Sequence, residues 1–406
     1  MFREYYAVDL FSGAGGMAEG FKQAGFKCVF ANDFDEVALQ TFAYNHPETP
    51  YLKSDIRKLD AAEILRVAGK MVGEIDVVCG GPPCQGFSLA GLRMTDDPRN
   101  RLFLDFVRIV DGLSPRVVVF ENVPGIITMQ GGAVIRAITA EFAKIGYTCQ
   151  AKILNAADYG VPQVRERFFL IGTREGCEGI DSPPATHGGV TQLPLGFTPL
   201  LEQRIMPNTP YVTLWDALSD LPRVEQGEGA EELQHSDIYH NAYQQARRGH
   251  RQPSLLFNHR ATRHSEAIQY RYAQIPEGSN NGVLPPEIRT RKRNVFKPWR
   301  DKPSPTVTCN HRTDLIHPTI PRGTTVREAA RLQSFDDDYR FFGNLTRKAK
   351  WVTQDDQVGN AVPPLLARAV AAQILFQLQQ HDTTSYPSWT SATSSEDRLW
   401  EWEKLG

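Results

Sequence analysis

Four residues of this 406-residue chain have the chemistry of an active site that contains a nucleophile and an acid: Cys84, Glu121, Arg165 and Arg167. Cys84 follows two prolines and precedes the polar, glycine-containing stretch 85–88, so burial as an ordinary small hydrophobe is less expected here. A thiol and a carboxylate brought to one edge of a sheet form a candidate pair for nucleophilic catalysis. The alternative for the arginines is a solvated strand edge.

A second chemical feature is the glycine-rich stretch Asp9–Gly16, which follows an apolar run and precedes a helical pattern. Such a turn lets the backbone approach a ligand closely. Its glycine spacing also fits a dinucleotide fingerprint, so a nicotinamide-dependent dehydrogenase is one alternative. Asp33 suits a ribose diol, Phe34 could stack on adenine, and Asp55 could accept a hydrogen bond from an exocyclic amine. The alternative for Asp33 is an ordinary surface acid.

These residues must be positioned by alternating strands and helices. Helical patterns are predicted at 16–24 and 36–45, between short apolar runs that predict strands. This alternation predicts an α/β fold with a mostly parallel sheet covered on both faces. Because ligands bind at the carboxyl ends of parallel strands, Cys84 and Glu121 should share one edge. The predicted strands are 5–10, 28–31, 75–79, 116–120 and 167–171.

The pattern changes near residue 173, where a polar, proline-punctuated stretch with weak periodicity begins. This stretch predicts a smaller domain of irregular structure. Helical patterns near 325–333 and 363–380 then predict a return to the first domain. The predicted organisation is a catalytic and cofactor-binding domain at 1–183, a second domain at 184–321, a returning segment at 322–381 and a polar tail at 382–406.

Charge is distributed unevenly along the chain, although its net value is only −2. Residues 240–323 contain fifteen Lys/Arg and five Asp/Glu, which predicts one basic surface that binds nucleic acid phosphates. We expect no membrane span, because no run reaches about 18 apolar residues, and no secretory signal. The six cysteines form no C-x-x-C pair, so we expect reduced thiols and no metal site.

In chain order these motifs resemble those of the DNA cytosine-C5 methyltransferases, from Tyr6 to about Gln380 apart from much of the basic stretch. The resemblance implies a Rossmann-like domain that binds S-adenosylmethionine (SAM) and a smaller target-recognition domain at 184–321. The segments similar to the family's motifs are Asp9–Gly16, Pro83–Ser88, Glu121–Val123, Gln163–Arg167, Arg327–Phe335 and Gly359–Pro363.

The resemblance also implies the chemistry. Cys84 would add to C6 of a cytosine flipped out of double-stranded DNA, after which C5 takes the methyl group and S-adenosylhomocysteine is released. A neutral Glu121 would donate a proton or hydrogen bond at N3. Arg167, with Arg165 behind it, would hold O2 and keep the pocket electropositive, which favours the thiolate. The implied cofactor residues are Phe11, Gly13, Gly15, Gly16, Asp33, Phe34, Asp55, Ile56, Pro83, Leu102, Asn360 and Ala361. The implied DNA contacts are Ser88, Arg291, Lys292, Arg293, Thr306 and Thr308.

Three alternatives differ in class. A nicotinamide-dependent dehydrogenase would not explain the motifs at residues 83–85 and 121–123. An RNA cytosine-C5 methyltransferase would have the same fold, but the Cys-Phe-Thr signature of tRNA-methylating relatives does not occur here. A non-catalytic DNA-binding regulator is disfavoured by Cys84 and Glu121. We expect a monomer on DNA in the cytoplasm of a prokaryote, associated with the nucleoid. A cognate restriction endonuclease or another defence-system protein is a candidate partner.

Overall fold

The computed structural model describes residues 3–83, 102–175, 177, 179–188, 209–235, 238–292, 294–345 and 352–385. Three of the predicted site residues, Cys84, Ser88 and Arg293, lie outside these ranges. The roles predicted for them therefore depend on the residues around them.

Seven strands form one central sheet: β1 (Tyr6–Leu10), β2 (Lys27–Asp33), β3 (Tyr51–Lys53), β4 (Val77–Gly80), β5 (Val117–Asn122), β6 (Tyr147–Asn155) and β7 (Glu166–Arg174). Their order across the sheet is β3-β2-β1-β4-β5-β7-β6. Every neighbouring pair is parallel except the two that involve β7. The order confirms the predicted mostly parallel α/β fold.

Strand β6 was missed in the sequence, and β7 runs against both of its neighbours. Tyr147 and Leu154 are the buried residues of β6 and several of its other side chains are polar, so it lacks the apolar run of the central strands. Only residues 156–165 connect β6 to β7. Because a parallel return requires a long crossover, this short connection makes the pair antiparallel.

The α-helices within the described residues are α1 (Gly16–Ala24), α2 (Glu36–Asn45), α3 (Ala61–Ala68), α4 (Leu102–Leu113), α5 (Ala133–Lys144), α6 (Leu214–Leu218), α7 (Ala242–Arg247), α8 (Glu266–Gln274), α9 (His311–Asp314), α10 (Val326–Leu332), α11 (Gln354–Asn360) and α12 (Pro364–Ser385). Helices α1 and α2 have the predicted bounds. The left-handed Gly25 ends α1, and the Asp35 carboxylate caps α2 by accepting from two backbone N–H groups. Among the described residues no single helix is long and apolar enough to cross a membrane, although the bent pair Gln354–Asn360 and Pro364–Thr383 meets that test together.

The sheet is covered on both faces, and alternate residues of β1 enter different cores. Ala7 packs beneath α1 and α12, whereas Val8 packs beneath α3, α4 and α5. Helix α12 lies close against α1, because a Cβ at Gly20 would collide with Ala367. The apolar residues of α12 at every fourth position, including Leu366 and Val370, are buried there. The predicted return of the last helix to the N-terminal sheet is confirmed.

Residues 209–345 form a smaller region of short elements. Strands β8 (Gly229–Gln234) and β9 (Leu255–Arg260) pair antiparallel, as do β10 (Ser279–Asn280) and β11 (Phe296–Lys297). A separate core joins α6, α10 and the aromatic segment 335–341. Helix α10 thus packs against elements on both sides of residue 321, and the domain limits at 183, 321 and 381 stay predictions.

Candidate active site

The glycine-rich loop after β1 forms one wall of a cavity at the carboxyl edge of the sheet. Gly13 has a positive φ of 52°, a backbone region that favours glycine. Its backbone N–H donates to the Asp33 carboxylate at 2.9 Å, and the other Asp33 oxygen accepts from the N–H of Asp35 at 2.9 Å. One carboxylate at the end of β2 therefore fixes the shape of both neighbouring turns.

Gly15 was predicted to contact the cofactor, but it lies elsewhere in the structure. It does not line the cavity in the described structure. A Cβ added to Gly15 would meet His46 Nε2 and the Tyr339 hydroxyl oxygen, each at 2.8 Å. That Tyr339 hydroxyl donates to the carbonyl of Ala14. Gly15 is thus required for packing, because a residue without a side chain leaves room for the Tyr339 ring to support the loop. Tyr339 belongs to the core that joins α6 and α10.

Two adjoining cavities share Phe11, Asp33, Phe34 and Pro83, so they form one cleft. Of the twelve predicted cofactor residues, all except Gly15 line this cleft. The Phe34 side chain is 66% exposed at the rim, where a planar base can stack on it. Their contact with a cofactor stays a prediction. The other members that line the first cavity are Gly13, Gly16, Asn360 and Ala361, and those that line the second are Asp55, Ile56 and Leu102.

The first cavity is strongly acidic, which the sequence did not indicate. Asp9, Asp35 and Asp356 line it together with Asp33 and Glu121, and none of the described lining residues is Lys or Arg. Such a lining fits a cofactor that carries a positive charge, as the sulfonium of SAM does. The missed signal is the charged residue at position 9 inside an otherwise apolar strand.

Burial controls the ionisation of the carboxylates in this cavity. It raises the pKa of Asp9 to about 7, against an opposing hydrogen bond from the backbone N–H of Ala18. It also raises the pKa of Asp33. Asp9 is therefore protonated below neutral pH and ionised above it.

Cofactor affinity should increase as the pH rises through about 7, because ionised Asp9 attracts a sulfonium. The stability of the apoprotein should change in the opposite direction. Its contribution from Asp9 is complete below the ordinary pKa of 3.8 and is lost as the pH rises through about 7. Calorimetric titration with SAM on both sides of pH 7 tests the first effect. Asp9→Asn should reduce the pH dependence of both the cofactor affinity and the stability of the apoprotein. Asp60→Asn, at the exposed cap of α3, should leave both dependences as in the wild type.

Glu121 lines the cavity and forms an ion pair with Arg167, which is not among the described lining residues; Glu121 Oε1 lies 3.0 Å from Arg167 Nε. The sheet register explains this contact, because Glu121 pairs with Phe169 and Arg167 lies two residues before it on the same face. Burial raises the pKa of the Glu121 carboxyl, and the charges of Arg167 and Arg165 oppose that rise. Burial also lowers the pKa of Arg167, which Glu121 counteracts.

The segment that leads to Cys84 is held against β5. The Asn122 side chain donates from Nδ2 to the Pro82 carbonyl at 3.0 Å. A Cβ at Gly81 would come within 2.9 Å of Glu121 Oε2, so glycine allows the chain to pass beside the carboxylate. Pro83 then lines the cavity. Asn122 and Gly81 thus determine the position of the backbone before Cys84, a role that sequence reasoning did not assign to them.

Neither Arg165 nor Arg167 is among the described residues that line the cavity, although both were predicted at the site, with Arg165 behind Arg167. Arg165 is 1% exposed, and its guanidinium donates to the carbonyls of Val307 (2.9 Å), Gly359 (2.7 Å) and Ala361 (3.1 Å). Its backbone N–H donates to the Asn155 side chain just before β7 begins. Arg165 therefore joins the sheet to two other segments of the chain.

Several positive charges of the basic stretch 240–323 are paired with acidic side chains in the folded protein. Five arginines within 240–323 pair with acids outside it, because the chain folds these acids against them. Lys292 pairs with Asp314 within the stretch and also donates to Thr313. Arg291 is exposed beside Arg289 and retains its predicted position on the surface. The ion pairs between arginines of the stretch and acids outside it are Arg247–Asp336, Arg248–Asp220, Arg251–Asp338, Arg312–Asp355 and Arg322–Glu328.

Thr306 and Thr308 lie on the segment that runs past the start of β7. Both are exposed and line a cavity with Asn294 and Asn310. The Thr306 hydroxyl donates to the Val164 carbonyl at 2.8 Å, so this residue ties the second region to the edge of the sheet. Their contact with DNA stays a prediction.

Comparison with known proteins identifies the family of this chain. The family model for C-5 cytosine-specific DNA methylases matches residues 5–375. The chain is 39% identical to the Type II methyltransferase M.DdeI of Desulfomicrobium norvegicum, over 90% of this chain and 88% of that one. It is 36% identical to M1.HphI of Haemophilus parahaemolyticus, over 91% and 86%.

Among solved structures, a DNA modification methyltransferase encoded within a prophage of E. coli superposes with a TM-score of 0.72 and 28% identity. The match covers 93% of this chain and 100% of that one. Sequence and fold therefore agree over nearly the whole chain. The chain belongs to the family of C-5 cytosine-specific DNA methylases, which transfer the methyl group of SAM to cytosine.

Proposed function

We propose that Cys84, Glu121 and Arg167 carry out the reaction of this family on a cytosine in double-stranded DNA. The observation that carries the proposal is that Glu121 lines the same cavity as Pro83 and is held there by an ion pair with Arg167. An acid and a cation at that place can act on the polar edge of a base. The residue after Pro83 in the chain is the proposed nucleophile.

Each residue has one task in this proposal. The Cys84 thiolate forms a bond to C6 of the cytosine, and the ring electrons move toward N3 and O2. Glu121 in its protonated form donates at N3, which burial favours by raising the pKa of its carboxyl. Arg167 faces the developing charge at O2. After methyl transfer from SAM, loss of the C5 proton expels the Cys84 thiolate and restores the aromatic ring.

The residues of the cleft fit SAM as the methyl donor. The carboxylates of the first cavity suit its positive sulfonium, and the exposed Phe34 ring suits its adenine. Asp33 has a constraint of its own, since both of its oxygens already accept backbone hydrogen bonds. Asp55 likewise pairs with Arg57 at the second cavity. Each carboxylate oxygen retains a second lone pair for a ribose hydroxyl or an adenine amine.

DNA is favoured over RNA as the substrate by the family model and by the relatives, which are Type II methyltransferases. We also propose that a cognate restriction endonuclease is a partner and that the protein binds DNA as a monomer. We further propose a cytoplasmic, nucleoid-associated location, and the bacterial relatives support the cytoplasmic part of it. The test is bisulfite sequencing of DNA from cells that express the chain. Methylated cytosines within one recurrent sequence are expected, and no methylation above that of cells with an empty vector would refute the function.

Neutralising Arg291, Lys292 and Arg293 together should weaken DNA binding and flatten its dependence on salt. The slope of log K against log [salt] should fall by about one for each phosphate contact that is lost. Arg291 should contribute more than Lys292, because Lys292 is already paired with Asp314. SAM affinity should remain unchanged, since the described members of the trio do not line the cofactor cleft.

The control for this experiment is Arg251→Gln. Arg251 belongs to the same basic stretch, but Asp338 balances its charge. The salt slope of the control should equal that of the wild type when duplex DNA is titrated at several salt concentrations. Equal slopes for the triple variant and the wild type would show that the DNA-binding surface lies elsewhere.

A further inference from the structure

We infer that Arg165 is a positioning residue that couples DNA binding to SAM binding, and this inference rests on the proposed function. Arg165 joins three parts of the molecule through its backbone N–H and its guanidinium. These are the sheet edge at β7, the segment of the second region that carries Thr306 and Thr308, and the end of α11 that carries Asn360.

The first link runs to the cofactor cleft. Gly359 and Ala361, whose carbonyls accept from Arg165, flank Asn360 at the end of α11. Asn360 and Ala361 both line the cavity. A cation at the C-terminus of a helix is favoured by the helix dipole and satisfies carbonyls that have no partner within the helix. Arg165 thus holds the end of α11 in the position that presents Asn360 to the cofactor.

The second link runs to the predicted DNA contacts. The Val307 carbonyl accepts from Arg165 at 2.9 Å, and Val307 lies between Thr306 and Thr308 on an exposed segment. A movement of this segment on DNA must change the hydrogen bond to Arg165 or carry the guanidinium with it. Because the guanidinium is planar and rigid, its other two bonds change as well.

A direct contact between the same two segments supports this connection. The Cys309 thiol, next to Thr308, donates to Asn360 Oδ1 at 3.2 Å. Gly359 packs so closely on Cys309 that a Cβ at position 359 would collide with its backbone. The end of α11 and the threonine segment therefore cannot move independently of each other.

The energetic cost of Arg165 also indicates a specific role. Burial lowers the pKa of its guanidinium, and its bonded partners among the described residues are neutral carbonyls. A buried cation without a bonded carboxylate is costly. Arg327 offers a matched comparison, because it is also fully buried and donates to the carbonyls of Phe257, Asp336 and Tyr339. None of those three lines the cofactor cleft.

The test measures the affinity of S-adenosylhomocysteine with and without saturating duplex DNA, for the wild type, Arg165→Lys and Arg327→Lys. The product is used because it supports no turnover. Thermodynamic reciprocity requires that DNA and the cofactor change each other's affinity by the same factor. We expect a factor of about 5 or more for the wild type and for Arg327→Lys. In Arg165→Lys, the factor by which DNA changes the affinity for S-adenosylhomocysteine should be close to one. The affinity itself should fall about 10-fold. The reason is that an ammonium cannot hold three carbonyls in one plane.

Three outcomes would overturn the inference: a wild-type factor of one, a factor unchanged in Arg165→Lys, or an equal loss in Arg327→Lys. Thermal unfolding of both variants shows whether each folds. If Arg165→Lys does not fold, Cys309→Ala and Thr308→Ala take its place, and the factor should fall in both because they lie on the same connection. Bisulfite sequencing with the wild type separates the two hypotheses, because methylation without coupling refutes only this inference.

Discussion

Replacing Cys84 by serine should abolish methyl transfer while SAM still binds. A serine hydroxyl is not ionised at neutral pH, and the attack on C6 needs an anion that the thiol can supply. Every described residue that lines the cofactor cleft is unchanged in this variant, so its affinity for SAM should be close to that of the wild type. The assay is transfer of labelled methyl groups to duplex DNA, with SAM binding measured by calorimetry.

A second measurement identifies the covalent step. DNA that carries 5-fluorocytosine cannot lose a proton from C5, so the wild type should remain attached to it under denaturing conditions. Cys84→Ser should not attach. Cys177→Ser is the matched control, because Cys177 is a half-buried thiol in the turn after β7 and does not line the cleft. Trapped adduct in Cys84→Ser, or normal turnover, would rule out Cys84 as the nucleophile.

Glu121→Gln should lower the rate of methyl transfer by about 10²–10⁴-fold, the usual contribution of a general acid. Glutamine keeps the shape of the side chain but cannot supply a proton at N3. The substitution also removes the ionic partner of Arg167 at 3.0 Å, so Arg167→Lys should be compared alongside. Single-turnover rates on duplex DNA measure the effect without the contribution of product release.

The pH dependence separates an acid from a structural residue. Burial raises the pKa of Glu121, so the wild-type rate should fall as the pH rises and the carboxyl loses its proton. Glu121→Gln should lack this decline. Glu166→Gln is the control, since Glu166 neighbours Arg167 on β7 and should behave like the wild type. A Glu121→Gln rate within a few-fold of the wild type would show that N3 needs no proton from this residue.

Much of the fold and of the site could be predicted because the physics that encodes them is local. Helix α2 begins where Asp35 caps it, and α1 ends at Gly25, so both sets of bounds follow from neighbouring residues. The ends of parallel strands meet at one edge, and this rule alone brought Pro83 and Glu121 to the same cavity. Strand β6 escaped because a strand at the sheet edge has no continuous apolar run.

The roles of individual charges were decided only by the tertiary structure. Arg165 and Arg167 are two residues apart and equivalent by type, yet Arg167 faces Glu121 whereas Arg165 binds three carbonyls from distant segments. The arginines of the basic stretch likewise meet acids such as Asp338 and Asp355 from outside it. A residue's type and its sequence neighbours determine which hydrogen bonds and charges it can offer. Which partner receives them depends on contacts between residues far apart in the chain, and these exist only after folding.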